Sequence, residues 1–127
     1  MNSKSLQRGF TLVELLVVMA IVALLLTIAT PRYFKSLEKS KENILRQNLA
    51  LTRESLDKYY GDMGKYPDTL EMLISKKYLR KLPIDPITES TATWIIVQPE
   101  MQDKGNVFDI RSGAPGNATD GTAYGDW

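Results

Sequence analysis

The sequence predicts an α+β protein in which one long N-terminal helix packs on a small antiparallel sheet. Three observations lead there. An apolar run extends from Phe10 to Thr30, and a helical stripe of Leu45, Leu49, Thr52, Leu56 and Tyr60 follows it. Two segments rich in β-branched and aromatic residues, Thr93–Val97 and Val107–Arg111, then close the chain's ordered part.

The apolar run comes first in the argument because it sets the environment. A bilayer core of about 30 Å needs about 20 apolar residues in a helix, and Phe10–Thr30 supplies them. Leu, Val, Ile and Ala occur on all sides, so the segment is not an amphipathic surface helix. It is longer than the core of an ordinary secretory signal, and Ala29-Thr30-Pro31-Arg32 makes a poor cleavage site for one. Lys4 and Arg8 precede the run, which places the N-terminus in the cytoplasm and the remainder across the membrane. One carboxylate, Glu14, stands near the head of this stretch, and no charge follows until Arg32. Such an acid costs roughly 3 kcal/mol near the bilayer centre, so it needs a partner or a proton.

The helix is predicted to continue to Tyr60, with a kink or local melting at Pro31, because proline removes a backbone donor. Its apolar stripe is core, and the residues between, including Glu42, Arg46 and Arg53, form a solvated face. Gly61 is the expected C-cap. A short helix follows with Asp68 as its N-cap and Leu70, Leu73, Ile74, Tyr78 and Leu79 on its apolar face. Pro83 and Pro86 exclude regular structure around them. The two strands pair as a hairpin with a long connection, and Ser112–Trp127 is loop.

Composition narrows the chemistry. The chain has 127 residues, a net charge of +1, and neither cysteine nor histidine. Disulfides, Cys/His zinc sites and every nucleophilic or general-base scheme that uses histidine or cysteine are therefore excluded. No basic field points to nucleic acid, and basic and aromatic residues do not interleave on any one strand or loop. Carboxylate or lysine chemistry stays open, though no such residues cluster, and a membrane-anchored binding module or enzyme is one alternative for the class.

Arg8-Gly9-Phe10-Thr11-Leu12-Val13-Glu14 resembles the processing site of the type IV pilin and pseudopilin family. The resemblance implies a cytoplasmic-side cut between Gly9 and Phe10 by a prepilin peptidase, followed by N-methylation of Phe10. It places Glu14 at the family's glutamate and Pro31 at its helix-kinking proline, both used in subunit assembly. The cut would leave a positive amine on Phe10 that a neighbouring subunit's Glu14 can neutralise. Leaving either member of such a pair alone is costlier than the pair is stabilising, which suits a register device.

Further along, Tyr59-Tyr60-Gly61-Asp62-Met63-Gly64-Lys65-Tyr66-Pro67, Leu79-Arg80-Lys81-Leu82-Pro83-Ile84-Asp85-Pro86 and Phe108-Asp109-Ile110-Arg111-Ser112-Gly113 resemble the major pseudopilins of type II secretion systems. The implied architecture is pilin-like: a cleaved leader at 1–9, a transmembrane and filament-core helix at 10–31, and a stalk helix with globular domain at 32–127. The implied function is a structural subunit of a periplasmic filament that drives protein export. Its implied partners are further copies of itself, the peptidase, minor pseudopilins, an inner-membrane platform protein and a secretion ATPase. The implied location is the inner membrane, single pass, with the C-terminal domain in the periplasm. A pilin of a type IV pilus, serving adhesion, motility or DNA uptake, is the alternative, and the lack of cysteine weighs against it. The same resemblance implies calcium in the C-terminal loop, held by Asp120, Asp126, Asp109 and Ser112. Pro115 and Ala123 depart from that family's loop pattern, standing where aspartates are common. No other cofactor is expected.

Overall fold

The computed structural model describes residues 9–127. Helix α1 spans Leu12–Met63, α2 spans Glu71–Ser75, and strands β1 (Trp94–Val97) and β2 (Asp109–Ser112) pair antiparallel. Short 3₁₀ turns cover Gln102–Lys104 and Tyr124–Asp126. The α+β expectation is met, with the hairpin in the predicted register region and its partners Trp94–Ser112, Ile95–Arg111, Ile96–Ile110 and Val97–Asp109. Two compact units divide between Leu37 and Glu38.

In the first unit no described residue covers the helix. Side chains from Leu12 to Ile28 are roughly half exposed or more on every face, as a segment intended for lipid or for other copies requires. Pro31 lies inside α1, where its missing N–H leaves the Thr27 carbonyl without its helical donor. Thr27 and Thr30 turn their hydroxyls back onto the carbonyls of Leu24 and Leu26, each at 2.6 Å.

The second unit holds the core. Leu45, Leu49, Leu56 and Tyr59 of α1 pack with Leu73, Leu79, Trp94, Val107 and Ile110. The stripe therefore closes on Tyr59, and not on Tyr60 as expected, which is 37% exposed. A step of three from Leu56 matches the helical period better here, and Tyr59 gains an edge-on contact with Tyr78 at 5.3 Å. Glu42 is also buried, against the expectation of a solvated face.

Helix ends differ from the sequence reading for local reasons. Gly61 stays helical, and Gly64 at φ +73° closes α1, its N–H bonding Tyr60 O at 2.8 Å. In α2 the N-cap is Leu70, not Asp68, and no side chain caps it. That helix stops at Ser75 because Lys77 turns left-handed at φ +67°. The Tyr78 and Lys77 N–H groups then bond the Leu73 and Ile74 carbonyls at 2.7 and 3.0 Å, a Schellman closure without glycine. Tyr78 and Leu79 still pack on the core, but from the segment after the helix.

The Pro83–Pro86 stretch is irregular, as expected, and is tied down by side chains. Asp85 is fully buried. It accepts Ser112 Oγ at 2.5 Å and Ile87 N–H at 2.9 Å. Trp94 Nε1 donates to Pro83 O at 2.8 Å, and Asn48 Nδ2 to Ile84 O at 2.7 Å. On the other side Pro67 O receives Val107 N–H, and Tyr66 stacks between Tyr60 and Phe108 at 4.5 and 5.3 Å. Gly105 (φ +90°) passes so close to Tyr66 that a Cβ would sit 2.0 Å from its carbonyl oxygen, so no larger residue fits.

Candidate processing and assembly site

The N-terminal site is built around the start of α1. Gly9 and Phe10 lie ahead of the helix with no regular structure, and Phe10 is 88% exposed. A Cβ on Gly9 would meet nothing within 4 Å, so the fold itself does not demand glycine there. The expected scissile bond is thus accessible and unhindered, two positions before the first helical residue. The remainder of the expected leader, residues 1–8, lies outside the described residues.

Thr11 and Glu14 form a capping box. Thr11 Oγ1 accepts the Glu14 N–H at 3.0 Å, and Glu14 Oε2 reaches back to the Thr11 N–H at 3.5 Å. This role for Glu14 was not expected. The signal was present as Thr11-Leu12-Val13-Glu14 just before an apolar run, the sequence form of that cap. The Glu14 carboxylate therefore meets a backbone donor, the Thr11 N–H, within its own chain, and Pro31 lies well along the same helix; the two are not brought together.

The C-terminal loop is held to α1 by charged side chains rather than by apolar packing alone. Glu42 accepts the Thr119 N–H at 2.7 Å, the Thr119 hydroxyl at 2.8 Å and the Tyr124 hydroxyl at 3.3 Å. Burial, then the Glu42 charge, raise the Tyr124 hydroxyl above the ordinary tyrosine pKa. Arg53 Nε bonds Asp109 Oδ1 at 2.8 Å, and its Nη2 bonds the Ile110 and Trp127 carbonyls at 3.1 and 2.5 Å. Arg46 pairs with Asp120. The Asp120 carboxyl is held below the ordinary aspartate pKa, first by the Thr122 hydroxyl and N–H and only then by Arg46. Glu42, Arg46 and Arg53 follow the helical period beside Leu45, Leu49 and Leu56, which is the pattern that could have marked them as interior edge.

The four residues expected to ligate calcium do not form a set. Asp109 is occupied by Arg53, and Ser112 is buried against Asp85. Only Asp120 and Asp126 share a cleft, with Asn117, Arg46 and Trp127 beside them. Among the described residues no three acidic side chains gather closely enough to hold a metal ion. Calcium takes six to eight oxygens, and these residues do not fit it.

Residues 4–30 match the prokaryotic N-terminal methylation motif. Over 95% of its length the chain is 28% identical to the type II secretion system core protein G of Klebsiella michiganensis, covering 93% of that protein. It is 31% identical to core protein G of Pseudomonas aeruginosa over 63% of the chain, covering 68% of that protein. A type IV major pilin, PilA of Myxococcus xanthus, is 34% identical over 48% of the chain but is covered over only 28% of its own length. No solved structure matches the chain.

Proposed function

We infer the function of this chain from the fact that it belongs to the type II secretion system core protein G family. It is a non-enzymatic structural subunit of the secretion filament, inserted in the inner membrane through α1 and processed as a prepilin. A prepilin peptidase cuts between Gly9 and Phe10 and methylates the new Phe10 amine. The domain from Glu38 onward faces the periplasm, following the positive charges of Lys4 and Arg8. A platform protein and a cytoplasmic ATPase then draw subunits, with minor pseudopilins among them, out of the membrane into a helical filament that pushes substrates outward.

The observation that carries this reading is the junction at the head of α1. An exposed Gly9–Phe10 bond outside regular structure is followed at once by a capped helix whose apolar side chains no described residue covers. A membrane span of mean hydropathy 2.9 with such a start has a use for removing what precedes it. Burial of those side chains between copies, at about 25 cal/mol per Å², offsets their extraction from lipid. Glu14 lies one helical turn from the amine that cleavage creates, and a neighbour's amine meets it in the assembled state.

Intact mass of the chain co-expressed with a prepilin peptidase tests the reading. The expected product begins at Phe10 and carries one added methyl group. A chain that keeps residues 1–9 in the presence of an active peptidase would refute it.

A further inference from the structure

We propose that the Arg46 guanidinium closes the C-terminal loop of this chain in the place where calcium was expected, so that the loop holds its shape without a metal. The loop does bring its carboxylate to a cation, but that cation is part of α1. Arg46 Nη2 stands 3.3 Å from Asp120 Oδ2, and its guanidinium carbon lies 3.8 Å from the centre of the Trp127 ring. Trp127 donates its Nε1–H to Thr122 Oγ1 at 2.7 Å. Thr122 donates to Asp120 Oδ1 through its N–H at 3.0 Å and its hydroxyl at 2.6 Å. The contacts therefore run Arg46 to Asp120 to Thr122 to Trp127 and back to Arg46, a closed ring around one positive charge.

That ring leaves no vacancy for a divalent ion. One Asp120 oxygen serves Thr122 twice and the other faces the guanidinium. A calcium at Asp120 would have to displace Arg46 or accept its repulsion, with Asp126 as the one other acidic side chain among the described residues that line the cleft. The two arms that flank the ring are held by side chains of α1. Glu42 fixes Thr119 on one side, and Arg53 fixes the Trp127 carbonyl on the other. Pro115 and Ala123, where the resemblance has aspartates, remove the oxygens that a metal would have used.

The ring is half exposed, so its ion pair alone is weak, and its strength comes from the coupling of its members. The test is the thermal unfolding midpoint of the full chain in detergent micelles, followed by near-ultraviolet circular dichroism. Wild type is expected to show the same midpoint in millimolar calcium and in excess chelator. A bound calcium at a hundredfold excess over its dissociation constant would raise the midpoint by roughly 10 °C or more, and that result would overturn the proposal. Arg46→Met, which keeps the stem and loses the charge, is expected to lower the midpoint by roughly 5 °C. An unchanged midpoint would equally overturn it. Asp120→Asn and the double variant complete a double-mutant cycle on the same readout. Losses that fail to add indicate the ring, whereas strictly additive losses count against it. None of these readouts depends on filament assembly, so they separate from the test of the proposed function.

Discussion

Asp85 shows how much one residue can do in a domain without disulfides. It is fully buried, and its two oxygens hold the Pro83–Pro86 stretch to β2 through Ser112 and to its own turn through Ile87 and Thr88. Asp85→Ala is expected to cost about 3 kcal/mol, since it strands a buried hydroxyl and a backbone donor together, and chemical denaturation will measure it. Asp85→Asn keeps the shape and should lose less. At the other end of the chain, Glu14 has two readings that one pair of variants separates. Glutamine preserves a capping box but carries no charge, so Glu14→Gln retains the cap that Glu14→Ala loses. If the carboxylate pairs with a neighbour's Phe10 amine, both variants fail to assemble. Assembly of Glu14→Gln at wild-type efficiency, scored by crosslinking in membranes, would reduce Glu14 to a cap.

Among the elements, α1 shows where sequence reading succeeded and where it stopped. Its apolar run and its stripe were legible because both follow simple periods in a strongly patterned segment. The helical period could mark Glu42, Arg46 and Arg53 as interior edge, but their partners were not legible, because they lie far along the chain. The same limit hid Lys77 as a helix stop, since a left-handed lysine contradicts its propensity and is imposed by packing around Tyr78. The buried Tyr124–Glu42 contact makes an element-level prediction about pH. The Tyr124 pKa is raised in the folded state, so the neutral hydroxyl is favoured there. Its contribution is complete below the unfolded tyrosine value near 10 and is lost as pH rises through the higher folded value. The unfolding midpoint should therefore fall on the alkaline side, and Tyr124→Phe should flatten part of that fall. An alkaline limb identical in the two proteins would exclude Tyr124 as its source.

At the scale of the whole molecule, every member of the hydrophobic core lies in the unit from Glu38 to Trp127. A chain beginning at Glu38 should thus fold in water and sediment as a monomer, whereas the full chain needs detergent or lipid for its exposed apolar helix. Loss of the cooperative unfolding transition in the shorter chain would show that the core leans on residues before Glu38. Class and family were legible from the leader and the Tyr-Pro and Leu-Pro stretches, because short motifs carry that information. The partners of the C-terminal loop were not legible, because an aspartate-rich composition looks alike whether its counter-ion is a metal or an arginine, and Asp120 pairs with Arg46.

The face of α1 that bears Glu42, Arg46 and Arg53 also sets an order of events in time. Its partners lie 77, 74 and 56 to 74 positions further along the chain. A chain that emerges N-terminal end first exposes these three charges early and can satisfy them only when Thr119, Asp120 and Trp127 have followed. Closing loops of that length is entropically slow, so the stretch from Thr119 to Trp127 closes the domain late. Until the stretch from Thr119 to Trp127 has docked, α1 already has its full length while the unit from Glu38 onward stays open to proteolysis.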